Sequence, residues 1–295
     1  MEMFVRILEE RCTGGGGFAY RPGGEPRPDA TCWAILALQA HDGRRELAEK
    51  AREALGRMQR PDGRVCLSPR HEDVCWPTAL AVLAWHGSSR HEGHRSKAVR
   101  FLLDFQGRRI VNHTVGVTAS DCTPGGWPWA VGTHSWVEPT AYALVALRLS
   151  GYGTHARAQE AQQLLLHRQL SAGGWNYGNT VVFGKELHPM PETTGMALQA
   201  VADVPPRSGV KKSLSYLRSQ APSLRTPFAV AWTILGLSAW QEQIPDEHEH
   251  LDSIIRKQEQ DGPYDTVSLS LLVLARYCRR GLVDFLRPVS SQEQE

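Results

Sequence analysis

Four carboxylates recur at one position of a repeated pattern, two residues before an aligned Thr or Val. They are Asp29, Glu138, Glu192 and Asp265. If each begins a helix at the same end of the molecule, the four form a ring around one opening. A carboxyl group in an apolar opening has a raised pKa and can donate a proton or hold a cation, whereas at a helix N-terminus it can cap free N–H groups. Asp29, Glu138 and Glu192 are therefore candidate catalytic acids, with capping as the alternative.

Two histidines stand four residues before two of these acids. His134 precedes Glu138, and His188 precedes Glu192. Both histidines lie in long connections, and long ordered loops are often functional. An imidazole beside a carboxylate can share a proton or bind a metal, so we predict His134 and His188 as catalytic residues. The alternative is a pair of surface histidines near Pro-rich turns.

Aromatic residues cluster near the starts of the apolar segments. Their π faces can stabilise carbocations or hold polyisoprene chains, and such a lining suits a lipid-like ligand. The candidate substrate-binding residues are Trp33, Trp76, Trp129, Trp136, Tyr142 and Trp232. Aromatic residues in the turns between repeats, such as Trp127 and Trp175, are expected to serve packing.

The elements that carry these residues repeat along the chain. Six apolar stretches rich in Ala and Leu alternate with amphipathic stretches that carry apolar residues at helical spacing, which predicts inner and outer helices. The aligned Thr or Val residues are separated by 47, 62, 54, 36 and 37 residues, as expected for helix pairs with variable loops. The inner helices are predicted at residues 29–40, 77–85, 138–149, 192–201, 228–240 and 265–277.

The turns between helix pairs carry a Gln-x(3-4)-Gly pattern followed by an aromatic residue. Examples are QLSAGGWNYG from Gln169 and QEQDGPYD from Gln258, and GGFAY and GGWPW begin other units. This pattern resembles the repeat of the squalene and hopene cyclases and of protein prenyltransferase β-subunits. The resemblance implies an all-α fold, a closed (α/α)6 toroid of six helix pairs around a central cavity. One domain is expected over 1–295, with repeats at about 14–58, 59–106, 125–169, 173–220, 226–258 and 262–286.

Asp73-Val74-Cys75 has the Asp-x-Cys form that protein prenyltransferases use for two of their zinc ligands. The resemblance implies a zinc site on Asp73 and Cys75, completed by His134 or His71, and zinc is the only cofactor predicted. In the family the pair begins at the acid position of the repeat, whereas Asp73 lies three residues earlier. The alternatives are Asp73 as a catalytic acid and Cys75 as a small buried thiol.

The leading interpretation is a terpene cyclase-like enzyme that acts on an isoprenoid or other lipid-like substrate, with the rim carboxylates as acid and base. The chain lacks the Asp-x-Asp-Asp motif of protonating cyclases. One alternative is a zinc-dependent prenyltransferase-like protein, which would need a partner subunit. The other is a non-catalytic toroid that binds a lipid or a peptide.

Composition narrows the setting. A net charge of +2 over 295 residues favours no nucleic acid as partner, and no apolar stretch is long enough to predict a membrane span. The N-terminal segment is predicted to be the first helix rather than a signal peptide. Six scattered cysteines without a CxxC pair favour reduced thiols, so a cytoplasmic location is expected.

Overall fold

A computed structural model describes residues 2–41, 44–108 and 125–287. The regular secondary structure of the described part is helical, apart from a two-stranded antiparallel hairpin of β1 (Val181–Val182) and β2 (Lys185–Glu186). The helices in chain order are α1 (Glu2–Glu9), α2 (Pro28–Gln39), α3 (Arg45–Met58), α4 (Pro77–Trp85), α5 (Glu92–Asp104), α6 (Val137–Leu149), α7 (Ala156–His167), α8 (Pro191–Ala200), α9 (Arg207–Gln220), α10 (Pro227–Ser238), α11 (Glu247–Arg256), α12 (Gln258–Asp261), α13 (Thr266–Tyr277) and α14 (Gly281–Leu286).

The inner layer is a closed ring of helices. Helices α2, α4, α6, α8, α10 and α13 each contact the next, and α13 contacts α2. These helices are apolar on nearly every side, and all nine residues of α4 are buried, because each packs against two inner neighbours and an outer helix. Helices α3, α5, α7, α9 and α11 form the outer layer and turn their charged faces to solvent. The predicted all-α toroid is confirmed.

The two ends of the chain together make the sixth helix pair. Helix α1 packs on α13 and α2, in the outer position that the last repeat leaves open. Just after α1, the buried Arg11 donates to the Thr266 hydroxyl at 3.2 Å and to the backbone oxygen of Tyr264. The Thr266 N–H donates to the Tyr20 oxygen at 2.9 Å. These bonds join residues more than two hundred positions apart and close the ring.

In four repeats the aligned Thr fastens its inner helix to the turn that begins the repeat. Its hydroxyl accepts a hydrogen bond from a buried backbone N–H at 2.9 to 3.0 Å, in the pairs Phe18–Thr31, Val65–Thr78, Trp127–Thr140 and Trp175–Thr194. The indole N–H groups of Trp127 and Trp175 donate to the carbonyls of Leu102 and Leu165. Both indoles therefore hold a turn against the preceding outer helix.

The glutamine and glycine of the turn motif also have structural roles. The Gln59 side-chain nitrogen donates to the carbonyls of Gly63 at 3.0 Å and His94 at 2.9 Å. Gly63 has φ +96°, and a Cβ there would lie 2.2 Å from the Lys97 carbonyl oxygen. Only glycine allows this turn to pack directly on the next outer helix.

Helix α14 crosses the end of the ring at which the inner helices finish. It contacts α6, α8 and α10. The Leu282 N–H donates to the Gln199 side chain at 2.9 Å, at the end of α8, and Leu286 lies beside His86, the residue that follows α4. Leu282 and Leu286 are buried in the core. The candidate acids lie at the opposite end, which we call the N-terminal mouth.

Candidate active site at the N-terminal mouth

The four aligned acids have three different environments. Asp265 caps α13 by accepting hydrogen bonds from the N–H and hydroxyl of Ser268 at 2.9 and 2.8 Å. Asp29 is nearly buried and binds the Arg27 guanidinium through both carboxylate oxygens, at 3.0 and 2.6 Å. The capping alternative therefore describes Asp265, and Asp29 is held in an ion pair with Arg27 rather than free at the mouth.

Glu138 is the aligned acid whose protonation the structure perturbs most clearly. It lies in the first turn of α6 with only 9% of its surface exposed, and the Tyr142 hydroxyl donates to its Oε1 at 2.9 Å. Burial raises the pKa of Glu138 to about 7, and the negative charge of Glu192 adds to this rise, while the Tyr142 hydrogen bond opposes it. Near neutral pH the carboxyl group is therefore present in both protonated and ionised forms.

Glu192, in the first turn of the neighbouring helix α8, also pairs with a tyrosine. The Tyr177 hydroxyl donates to Glu192 Oε1 at 2.5 Å. Burial raises the pKa of Tyr177, and Glu192 raises it further. The Tyr177 backbone oxygen accepts the Val137 N–H at 2.9 Å, so this loop residue connects the starts of α6 and α8.

Five of the six predicted substrate-binding aromatics form one cluster below these acids. The Tyr142 ring lies 5.9 Å from Trp33, 5.9 Å from Trp232 and 6.2 Å from Trp76, and Trp76 contacts Trp129 at 5.3 Å. Trp33 and Trp232 are 1% and 2% exposed, so their side chains fill the ring axis instead of lining an open hollow. Trp76 and Trp129 remain partly exposed at the mouth.

Trp136 and the two predicted histidines lie apart from this cluster. The His134 ring contacts the Trp136 ring at a tilt of 35° with 4.6 Å between ring centres, and a Cβ on Gly178 would lie 2.7 Å from the Trp136 ring. Burial lowers the pKa of His134, and the charge of Arg168 lowers it further. His188 is exposed in its loop. Tyr142 and Tyr177 are the tyrosines that bond Glu138 and Glu192, and no hydrogen bond joins His134 or His188 to either glutamate in the described structure.

The predicted zinc ligands are not brought together. Among the residues that the structure describes, no group of three or more His, Cys, Asp or Glu side chains is placed to hold a metal ion. Asp73 is exposed on a turn, and burial raises the pKa of the Cys75 thiol to about 12, which disfavours the thiolate that zinc needs. His71 bonds Ser68 at 2.8 Å. The described residues therefore do not bring together the ligands predicted on Asp73, Cys75 and His134 or His71, and zinc binding stays a prediction.

Part of the sequence interpretation lies outside the described residues, namely Cys122 and the middle of the long connection before α6. Among the described residues, sequence reasoning did not predict the contacts of two tyrosines with the candidate acids, Tyr142 with Glu138 and Tyr177 with Glu192. Tyr142 stands four residues after Glu138 on one helix face, a spacing that signals contact. Tyr177 carries no such signal, because its contact with Glu192 depends on the path of a loop.

The sequence matches no protein-family profile and no curated protein. Solved structures nevertheless share the fold. A type II terpene cyclase, MstE from Scytonema, determined with its substrate geranylgeranyl dihydroxybenzoate, has a TM-score of 0.62 at 13% identity, covering 95% of this chain and 94% of that one. A family 76 glycoside hydrolase from a bovine Bacteroides thetaiotaomicron strain has a TM-score of 0.64 at 10% identity, covering 94% of this chain and 76% of that one.

An alpha-amylase from Clostridium perfringens is similar as well, with a TM-score of 0.63 at 9% identity over 93% of this chain and 95% of that one. At such identities the likeness shows the fold alone, a helical toroid shared with enzymes of different chemistry. In the described part of the chain, no helix is long and apolar enough to cross a membrane.

Proposed function

We propose that the protein is a terpene cyclase-like enzyme in which Glu138 protonates an isoprenoid or similar lipid-like substrate at the N-terminal mouth. The observation that carries this proposal is a carboxyl group with a pKa of about 7 placed directly against a cluster of aromatic rings. An acid that is half protonated near neutral pH can both give and regain a proton during turnover.

The aromatic cluster supplies the second requirement of cation chemistry. Ring faces attract positive charge, and the attraction is stronger where water is excluded. Tyr142 joins the two parts of the site, because its hydroxyl bonds Glu138 and its ring contacts Trp33, Trp76 and Trp232. A cation formed beside Glu138 would therefore lie next to π faces.

The pKa of Glu138 limits which groups of a substrate it can protonate. A carboxyl group with a pKa of about 7 is a weak acid, and protonating an oxygen atom demands less of it than protonating an isolated carbon–carbon double bond. We therefore expect an isoprenoid that carries a hydroxyl or epoxide oxygen. Glu138 gives its proton to that oxygen, the carbon–oxygen bond breaks, and Glu192 accepts the proton that the cation loses.

A second candidate, glycoside hydrolysis, is favoured by the same two carboxylates. Glu138 is buried and Glu192 is more exposed, on adjacent helices, and glycosidases use one carboxyl as acid and another as base or nucleophile. Trp76 and Trp129 are partly exposed and could stack on a sugar ring. The family 76 glycoside hydrolase and the alpha-amylase, whose structures are similar to this one, carry glycosidase names.

Product analysis separates the two candidates. The purified protein is incubated with farnesol, geranylgeraniol and their terminal epoxides, and products are analysed by gas chromatography and mass spectrometry. We expect cyclised or rearranged products that disappear in Glu138→Gln and persist in Glu53→Gln, an exposed glutamate of α3. Release of reducing sugar from oligosaccharides, without isoprenoid products, would instead support the glycosidase. Absence of both products would contradict catalysis by Glu138.

A further inference from the structure

A cavity separate from the side-chain cluster around Glu138 opens between the first two repeats. Its volume is about 690 Å³, within the range of small-molecule sites. The start of α2, the end of α3 and the connection before α4 form its walls. Nothing in the proposed reaction uses this cavity, so it requires an explanation of its own.

The lining combines apolar walls with concentrated positive charge. Pro26, Pro28, Met58 and Pro69 contribute the apolar part. Four arginines also line the cavity, against a single carboxylate from Glu25; they are Arg27, Arg57, Arg60 and Arg70. The chain as a whole has a net charge of only +2, so this local excess is not a consequence of a basic protein.

The four guanidinium groups differ in how firmly they are engaged. Arg27 is fixed by the nearly buried Asp29. Arg57 donates to the Gly15 carbonyl. Arg60 pairs with Glu72, but both side chains are substantially exposed, at 38% and 52%, and such a pair contributes little stability. A bound anion can therefore replace Glu72 at small cost.

Arg70 is the most available of the four. Its side chain is exposed, and it forms no ion pair with any acidic residue that the structure describes. Guanidinium groups bind carboxylates and phosphates through paired N–H donors, which makes arginine the preferred residue for planar recognition of oxyanions. Arg60 and Arg70 both line the cavity and can bind one head group, and Arg57, which bonds a backbone carbonyl, adds positive charge, whereas the charge of Arg27 is balanced by Asp29.

We propose that this cavity binds a small molecule with an oxyanion head group, a phosphate or a carboxylate, on an apolar body. The arginines bind the head group, and Met58 and the prolines pack on the body. The site goes beyond the proposed reaction and does not depend on it, since it shares none of the residues of the Glu138 cluster.

Calorimetric titration tests the proposal with four probes, namely octyl phosphate, octanoate, octanol and inorganic phosphate. We expect octyl phosphate or octanoate to bind at least about tenfold more tightly than both octanol and inorganic phosphate, because only the combined molecule uses both parts of the lining. The stronger of the two identifies the head group. Raising the salt concentration should weaken binding.

Variants locate the binding. The double variant Arg60→Gln and Arg70→Gln should lose about tenfold or more in affinity, whereas Arg256→Gln, an exposed arginine of α11, should bind as the wild type does. Glu138→Gln should also bind normally, so failure of the proposed reaction leaves this test intact. No binding of octyl phosphate and octanoate at millimolar concentration, equal binding of octanol, or unchanged binding in the double variant would each overturn the proposal.

Discussion

The burial of Glu138 destabilises the folded protein whenever its carboxyl group is ionised. Moving a carboxylate out of water disfavours its charged form. A rise in pKa from 4.5 to about 7 means that the folded state is less stable at high pH than at low pH by about 3 kcal/mol. The folded state binds the proton more tightly than the unfolded state does. The stabilising effect is therefore full below the unfolded pKa and is lost as the pH rises through the folded pKa.

Replacing Glu138 by Gln should stabilise the protein at alkaline pH. Gln keeps an oxygen for the Tyr142 hydroxyl but cannot ionise, so the gain should approach about 3 kcal/mol above pH 8 and become small near pH 5. Chemical denaturation at the two pH values measures it. Glu53→Gln, on the exposed face of α3, should show no such pH dependence. An equal effect of Glu138→Gln at both pH values would contradict the raised pKa.

The Tyr142 hydroxyl should set the pH range of activity. Because its hydrogen bond favours the ionised carboxylate, Tyr142→Phe should raise the pKa of Glu138 further. The fall of kcat/KM above neutral pH should then shift to higher pH. The pH–rate profile of the variant checks this, with the exposed Tyr152→Phe as control. An unshifted profile would show that another group controls activity.

Sequence reasoning reached Glu138 and Tyr142 because both occupy a repeated helical register, where one spacing recurs in several copies. Trp33 and Trp232 are expected from the sequence to line an open hollow, whereas both rings pack on Tyr142. Periodicity predicts the direction in which a side chain points, but not whether side chains that point toward one another are in contact. The predicted contacts of His134 with Glu138 and of His188 with Glu192 are absent from the described structure for a different reason. His134 and His188 lie in loops, whose path no periodic pattern constrains.

At the scale of single elements, the hydrogen bond from a turn N–H to the aligned Thr holds the turn on its inner helix in four repeats. Thr140→Val should leave the buried backbone N–H of Trp127 without an acceptor and lower the free energy of unfolding by about 1 to 3 kcal/mol. Thermal and chemical unfolding measure this loss. Thr226→Val, at an exposed position whose side chain caps no helix, should change stability little. Equal effects of the two substitutions would contradict the assigned role.

The hairpin β1–β2 holds an aromatic residue in an unfavourable backbone conformation. Phe183 is 79% exposed with φ +50°, and it precedes Gly184 in a tight turn. Asn tolerates this left-handed conformation much better, so Phe183→Asn should stabilise the fold by about 0.5 to 1 kcal/mol. Unfolding curves test this, with Leu187→Asn as a comparison in the same loop. A loss of stability in Phe183→Asn would show that the ring makes a contact worth more than the strain.

At the scale of the whole molecule, stability depends on joining the two ends of the chain. Arg11→Met should remove the bonds to Thr266 and Tyr264 and cost about 2 kcal/mol. Because α1 packs between α13 and α2, hydrogen exchange should accelerate in the first and last inner helices together. A variant of the exposed Arg21 should show neither change. Acceleration confined to α1 would contradict cooperative closure.

The two helical layers follow from the periodicity of the sequence, but six helix pairs can form either a ring or an open solenoid. The closed ring is implied by the resemblance of the turn motif. Two whole-molecule features do not follow. Helix α1 fills the sixth outer position, although the residues it contacts are at the other end of the chain. Helix α14 is short and carries no repeat signature, so its place across the ring depends on contacts such as Gln199 with Leu282.

Helix α14 lies across the ring at the end opposite the acids, where it contacts α6, α8 and α10. Trp33 and Trp232 are buried between the two ends, so the described residues leave no open passage past them along the axis. If the proposed reaction takes place, the substrate therefore arrives and the product departs at the N-terminal mouth, and a retained product would compete directly with the next substrate.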